Sequence, residues 1–193
     1  MTSCRWRSWL LLGLLLALIV VPCVRADDDV PIPLAVKVPL FLKIMSYDRT
    51  VGDTPATQTV RLILLVGAGH AGDDRRQDEA LLRNLVGGRT LLGRPLACEC
   101  ESWKSSKPPR TDASSLVIGH ALSADEVRQV AEWASAKNVL IFGDGATAWA
   151  GRGFAVVLLL RGGAPVINVD LPVARSAGAD FHANFLKHCQ VRQ

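Results

Sequence analysis

The segment VRLILLV at Val60–Val66 constrains the fold more than any other part of the sequence, because six of its seven residues are apolar. A continuous apolar run of this length predicts a strand buried on both faces, as in a parallel sheet covered by helices. The shorter runs Leu116–Ile118 and Val139–Phe142 predict two further buried strands. We therefore expect a parallel sheet at the centre of the molecule, with helices packed on both of its faces.

Helical patterns alternate with these strands. A helix is predicted at Asp73–Val86, and another begins at Ser123, which forms a capping box with Glu126. The apolar residues predicted to face the core from the two helices are Ala80, Leu81, Leu85 and also Leu82 in the first, and Val127, Val130, Ala131 and Ala134 in the second. This alternation of strands and helices is typical of an α/β domain.

The remaining segments complete the predicted architecture. Pro33–Tyr47 has a helical stripe that Pro39 should kink or delay. Pro95–Glu101 alternates as a strand with one wetter face, and Phe154–Leu160 and Pro165–Val169 are joined by a glycine turn as a hairpin. The sequence therefore predicts an α/β fold: a single three-layer domain with a mostly parallel sheet and a C-terminal antiparallel hairpin.

Residues 1–26 have the pattern of a secretory signal peptide. Arg5 and Arg7 precede a thirteen-residue apolar run at Trp9–Val21, and Val24 and Ala26 are small residues at the −3 and −1 positions. The alternative is an uncleaved anchor, but the run is shorter than the roughly 20 residues that span a bilayer. We therefore predict a signal peptide at 1–26, a single domain at 27–193, and a periplasmic location.

Removal of the signal peptide changes the charge of the chain. The full sequence has 22 Lys and Arg against 18 Asp and Glu, a net charge of +4, and loss of Arg5, Arg7 and Arg25 lowers it to +1. No stripe of basic residues interleaved with aromatic residues is present, so the sequence does not predict a nucleic-acid partner.

The glycine turn VGAGHAG, at 66–72, matches the spacing G-x-G-x-x-G of dinucleotide-binding folds. However, the helix that follows begins with Asp73 and Asp74, whose carboxylates would repel a pyrophosphate at the helix N-terminus. No acidic residue ends the next strand at the spacing expected for ribose binding. We interpret the segment as a structural turn and expect no NAD or other cofactor.

Two longer stretches resemble the YfiR-like family of periplasmic proteins. LKIMSYDRTV at Leu42–Val51 is similar to a segment near the N-terminus of that family, and Leu140–Lys187 is similar to its C-terminal half. In that half a strand is followed by a glycine-bearing loop, a hairpin that closes in Ile-Asn, and a final helix. VRLILLV and SLVIGHALS fall where the family has its other strands, although Pro39 departs from the family pattern.

The resemblance implies a compact α/β domain without catalytic activity. The namesake of the family represses a membrane diguanylate cyclase, so a partner in the envelope or inner membrane is implied for this chain. The sequence itself has no G-x-S-x-G motif and no evident acid–base pair. We expect a regulatory protein that binds another envelope protein, with a periplasmic receptor for a small ligand or metal as the alternative, and a hydrolase as a weaker third.

The loop Asp144–Gly153 is the predicted partner-binding segment. Asp144 and Gly145 begin it, and Trp149 with Arg152 are residue types that are enriched at interface hot spots. Trp149 has a second interpretation, as a side chain that fills space between small residues of the domain.

The receptor alternative has its own predicted site. His70, His120 and Asp144 each follow an apolar strand, and the carboxyl ends of parallel strands share one rim of the sheet, where ligands bind. Two imidazoles and a carboxylate on this rim would suit a transition metal.

Three cysteines, Cys98, Cys100 and Cys189, remain after signal removal, an odd count for an oxidising compartment. Cys98 and Cys100 lie on one face of a predicted strand. A disulfide from one of them to Cys189 on the final helix would tie the C-terminus to the sheet, and buried free thiols are the alternative.

Several polar and glycine residues have predicted structural roles. Asn168 should hold the turn into the last helical region, Asp170 should cap that region, and Gly178 should break it. Tyr47-Asp48-Arg49 is either a polar cluster that ends the first helix or a partner contact, and Arg49 is expected to pair locally with Asp48 or Asp53.

Overall fold

The computed structural model of the protein describes residues 31–70, 72–109, 115–119, 122–145 and 153–193. Its strands are β1 (Val60–Val66), β2 (Thr90–Leu91), β3 (Arg94–Ser102), β4 (Ser115–Ile118), β5 (Leu140–Asp144), β6 (Val156–Arg161), β7 (Ala164–Asp170) and β8 (Gln190–Arg192). They form one sheet in the order β2-β3-β1-β4-β5-β6-β7-β8.

The middle of this sheet is parallel. β1 pairs with β3 on one side and with β4 on the other, and β4, β5 and β6 continue in parallel. β6 and β7 form the predicted antiparallel hairpin, while β2 runs antiparallel to β3 and β8 runs parallel to β7. The predicted fold class, a mostly parallel α/β sheet with a C-terminal hairpin, is confirmed.

The helices are α1 (Leu34–Met45), α2 (Arg49–Asp53), α3 (Asp73–Val86), α4 (Ala124–Lys137), α5 (Leu171–Ser176) and α6 (Ala183–Leu186). Apolar residues of α1, α3, α5 and α6 pack in one core cluster, and those of α4 pack in a second. Because β1 contributes Leu62 and Leu64 to the first cluster and Ile63 and Leu65 to the second, the sheet separates the two helical layers. Within the described residues, none of the helices has the length and apolar character needed to cross a bilayer.

The ends of the helices follow the predicted signals. Ser123 and Glu126 form a complete capping box at α4, and the Asp170 carboxylate accepts a hydrogen bond from the Val173 amide at α5. Gly178 has φ of 83°, and the amides of Gly178 and Ala179 donate to carbonyls of the last turn of α5. This is a Schellman ending, which favours glycine because the left-handed backbone conformation strains other residues.

Three details differ from the sequence-based expectation. Pro39 lies inside α1 without delaying its start at Leu34. On α3 the fully buried residues are Leu82 and Val86, whereas Ala80 is exposed, because the face that contacts the sheet is rotated from the predicted stripe. The chain also ends in a strand, β8, that its short polar sequence did not indicate.

The segment Tyr47-Asp48-Arg49 is joined to residues 180–182. The Asp48 carboxylate caps α2 and accepts a hydrogen bond from the Asp180 amide, and the Arg49 guanidinium lies 3.4 Å from the Asp180 carboxylate. The His182 amide donates to the Tyr47 carbonyl. The expected pairing of Arg49 with Asp48 or Asp53 is therefore wrong, since Arg49 pairs across to the C-terminal region.

Candidate functional site

The carboxyl ends of β1 and β5 lie on one rim of the sheet, and His70 and Asp144 are placed there as the sequence predicted. In open α/β sheets this rim is where ligands most often bind. The predicted signal peptide at 1–26, His120, Trp149 and Arg152 lie outside the described residues. The described part of the rim comprises Asp144, Gly145, His70 and their neighbours.

Asp144 is the centre of a buried ion pair. Its Oδ1 lies 2.8 Å from Nζ of Lys37 on α1, and its Oδ2 accepts a hydrogen bond of 2.7 Å from the Ile32 amide. The Lys37 side chain is 0% exposed and that of Asp144 is 5% exposed. The pair therefore fastens the N-terminal segment to the end of β5, immediately before the predicted partner-binding loop.

The other boundary of this loop is also fixed. Gly145 has φ of 68°, a conformation that favours glycine. At Gly153 an added Cβ would lie 2.9 Å from Cβ of Ala131 on α4, so only glycine allows this close approach. The described ends of the segment 144–153 are thus held against rigid elements, one by the ion pair and one by packing on a helix.

Lys37 is a site residue that the sequence interpretation missed. It lies three residues after Leu34 and four before Phe41, which places it inside the buried stripe of α1. A charged residue within an apolar stripe signals either a break in the stripe or a buried partner for the charge. Here the partner is Asp144, which is 107 residues away in the sequence.

His70 is paired with another carboxylate, that of Asp78, whereas Asp144 is paired with Lys37. Its Nε2 lies 3.0 Å from Oδ2 of Asp78 on α3, and both side chains are largely buried. Among the described residues, no group of three or more His, Cys, Asp and Glu side chains could hold a metal ion. The predicted metal site of His70, His120 and Asp144 therefore has no assembled ligand set in the described part of the chain.

The glycine turn closes as the sequence suggested. The His70 amide donates to the Gly67 carbonyl, and Gly72 precedes α3 with φ of 69°. Asp73 and Asp74 occupy the first turn of α3, and Asp73 forms an ion pair with Arg76. Carboxylates already occupy the electropositive end of the helix, which supports the structural interpretation of this turn.

Of the two alternatives for the cysteines, the structure has the free thiols and not a disulfide from Cys189 to Cys98 or Cys100. All three cysteines are free thiols in the structure. Cys98 and Cys100 lie on β3, whereas Cys189 directly precedes β8, six strand-to-strand steps across the sheet. Strands about 4.8 Å apart put roughly 29 Å between them, and a disulfide needs Cα atoms closer than about 7 Å. The sequence contains no information on strand order, which is why this pairing was open.

Burial raises the pKa of all three thiols above that of an ordinary cysteine. From an ordinary value of 9.0, burial raises the pKa of Cys98 to about 12, with further increases from Cys100 and Glu99. Burial also raises the pKa of Cys100 to about 11, partly offset by Arg75, and that of Cys189 to about 11. Because the thiolate is the reactive form, none of the three has the electrostatics of a nucleophile.

Asn168 lies on β7, two residues before the cap of α5, and its role in holding the turn stays a prediction. Asn168 is 7% exposed on β7, and its Nδ2 has no hydrogen-bond partner among the described residues. Asp170 caps α5 as predicted and also pairs with Arg192 of β8.

Comparison with known proteins supports the fold class. No family model and no curated protein matches the chain. Among solved structures, the fold is similar to that of a conserved domain protein from Vibrio cholerae O1 biovar eltor str. N16961, with a TM-score of 0.55 at 11% identity. The match covers 86% of this chain and 61% of the Vibrio chain, so this chain spans less than two thirds of that protein. At this identity the similarity shows a common α/β fold and nothing of function.

Proposed function

We propose that this protein is a non-catalytic regulatory domain of the periplasm, which binds another envelope protein through the loop that follows β5. The observation that carries the proposal is the buried ion pair between Lys37 and Asp144, at the point where this loop begins. The resemblance of Leu42–Val51 and Leu140–Lys187 to YfiR-like proteins supports an inner-membrane signalling protein as the partner.

The ion pair is better suited to positioning than to stabilising the domain. Desolvation of two charges offsets most of their attraction, and apolar residues of similar volume often serve stability as well or better. An ion pair differs from apolar packing in its directionality. Because Asp144 also accepts from the Ile32 amide, the carboxylate holds two separate segments in one relative position.

Fixed ends of the segment 144–153 favour protein recognition. Binding is weakened by the ordering of flexible segments, and a segment whose ends are already fixed loses less freedom. Asp144 and Gly145 fix one end of this loop, and Gly153 fixes the other against Ala131. Trp149 and Arg152, in the span between these ends, supply the aromatic and guanidinium groups favoured at hot spots.

The proposal is tested by site-specific photo-crosslinking in living cells. A photoreactive amino acid replaces Trp149 in one variant and Lys137 in a control. Lys137 is exposed at the end of α4, near the amino ends of the strands and away from the rim. We expect a discrete crosslinked product with an inner-membrane signalling protein from position 149 and not from position 137. Identical products from both positions, or no product from position 149 in a folded protein, would contradict the proposal.

A further inference from the structure

A cavity lies at the amino ends of the strands, opposite to the rim with Lys37 and Asp144. We call this end of the sheet the amino edge. Its volume is about 150 Å³, and its walls come from the end of α1, from α2, from the start of β3 and from the turn after α5. Asp48 and Arg94 line it, and both residues are 4% exposed. A cavity of this size accommodates a ligand of about six non-hydrogen atoms, as large as benzene.

Arg94 is a buried cation that pairs with no carboxylate of the described residues. Its Nε donates to the Gln58 carbonyl at 2.9 Å and its Nη1 donates to the Val51 carbonyl at 3.0 Å. Within the described part of the chain, no carboxylate comes within ion-pair distance of this guanidinium, and Nη2 makes no hydrogen bond. A guanidinium with unused donors on a cavity wall can bind a carboxylate with two parallel hydrogen bonds.

Asp48 supplies the opposite charge. Its Oδ1 accepts three hydrogen bonds, from the amide and hydroxyl of Thr50 and from the Asp180 amide. Its Oδ2 accepts none from the described residues. The carboxylate is therefore held rigidly through one oxygen while the other remains available to a donor in the cavity.

These two charges select the kind of ligand. A simple anion would be repelled by Asp48 and a simple cation by Arg94, whereas a molecule with both charges satisfies the two residues together. We propose that the cavity binds a small α-amino acid, whose carboxylate is bound by Arg94 and whose ammonium group is bound by Asp48. The buried apolar residues Met45, Leu140 and Ala179, which also line the cavity, suit a short aliphatic side chain.

The proposal concerns a second site and stands independently of the regulatory role. The alternative is that water alone occupies the cavity between Asp48 and Arg94, in which case Arg94 only tethers residues 51–58 through its two carbonyl contacts.

Calorimetric titration of the purified protein with L-alanine, propionate and ethylamine separates the two accounts. Propionate lacks the ammonium group of alanine, and ethylamine lacks its carboxylate. We expect saturable binding of L-alanine and at least about tenfold weaker binding of each analogue, because each loses one charge-assisted hydrogen-bonding group. No binding of L-alanine, or equal binding of propionate, would overturn the proposal.

A pair of matched variants tests the role of Asp48. Asp48→Asn keeps an oxygen to cap α2 but removes the charge, and Asp170→Asn does the same at α5, away from the cavity. We expect Asp48→Asn to reduce the preference for L-alanine over propionate by about tenfold or more, and Asp170→Asn to leave it unchanged. Circular dichroism confirms that both variants are folded. An unchanged preference in folded Asp48→Asn would exclude Asp48 as the ammonium site and overturn the proposal.

Discussion

The carboxyl rim and the amino edge of the sheet each have a buried cation and a buried carboxylate, but the two charges are arranged differently at each. On the carboxyl rim Lys37 and Asp144 are in direct contact at 2.8 Å. On the amino edge Asp48 and Arg94 line one cavity without forming an ion pair. The closed pair satisfies its two charges by direct contact and fixes two segments of the chain. The separated pair leaves two charges exposed to the same cavity, which is the arrangement of a binding site.

The comparison also predicts different energetic consequences. Removal of one partner from a closed, buried pair leaves the other charge without compensation. Removal of Asp48 or Arg94 does not break an ion pair, because each side chain is hydrogen-bonded to neutral groups, such as the Asp180 amide and the Val51 carbonyl. Stability measurements should therefore distinguish the two edges, and ligand binding should depend on the amino edge.

The largest effect is expected when one member of the rim pair is removed, as in Lys37→Met. Loss of the ammonium leaves the Asp144 carboxylate buried beside an apolar side chain, so we expect a decrease of about 3–5 kcal/mol in the free energy of unfolding. Urea denaturation followed by circular dichroism measures it. The matched control is Lys43→Met on the same helix, where the lysine is exposed and only approaches the Tyr47 ring, at 5.1 Å. Equal losses in the two variants would mean that the buried pair has no special role.

A smaller loss is expected for Arg94→Met. This change removes hydrogen bonds to two backbone carbonyls but leaves no carboxylate unpaired at ion-pair distance among the described residues, so it should cost about 1–3 kcal/mol. Arg175→Met, at an exposed position of α5, should change stability by less than about 0.5 kcal/mol. If Arg94→Met destabilised the domain more than Lys37→Met, the contrast between the edges would be reversed.

The two aspartates give a finer test. Asp48→Asn keeps an acceptor for the donors that Oδ1 now binds, so we expect less than about 1 kcal/mol of destabilisation. Asp144→Asn removes the carboxylate charge that Lys37 contacts at 2.8 Å and should cost about 3–5 kcal/mol. Thermal unfolding of the two variants side by side gives the difference, and similar melting temperatures would contradict it.

The cysteines belong to neither charged pair. In the native protein they should be alkylated more slowly than ordinary cysteines. With its pKa raised from 9.0 to about 11, Cys100 has about 100-fold less thiolate at pH 8 than an ordinary cysteine. Alkylation of the native protein by iodoacetamide should keep accelerating up to about pH 11. In urea-unfolded protein the rate should level off near pH 9.0. Fast modification of the native protein at pH 8 would show that burial does not protect these thiols.

Local patterns in the sequence were sufficient to predict most of the strands and helices. The apolar run of β1 predicted a strand buried on both faces, and Ser123 with Glu126 predicted the start of α4 because capping depends on residues three positions apart. The four residues predicted to face inward from α4 are the ones that are buried. These features depend on neighbours in the chain, so composition and spacing are enough to identify them.

Features that depend on distant contacts could not be predicted in this way. Lys37 and Asp144 are 107 residues apart, and the hydrogen bond from the Asp180 amide to Asp48 spans 132 residues. Strand order, which separates Cys189 from β3, is likewise absent from local patterns. Nothing in the local sequence distinguishes Arg94 from a surface arginine at the start of a strand, although the fold buries it.

The most direct test of the positional role of the rim pair is the double variant Lys37→Met with Asp144→Asn, which removes both charges and keeps an acceptor for the Ile32 amide. Its stability should lie within about 2 kcal/mol of the unmodified protein, because neither charge is left unpaired. In this folded variant we predict that photo-crosslinking from position 149 falls at least about tenfold, consistent with a mispositioned loop that loses about 1.4 kcal/mol or more of binding free energy. Full crosslinking yield from a stable double variant would contradict the account, since the ion pair would then have no part in presenting the loop.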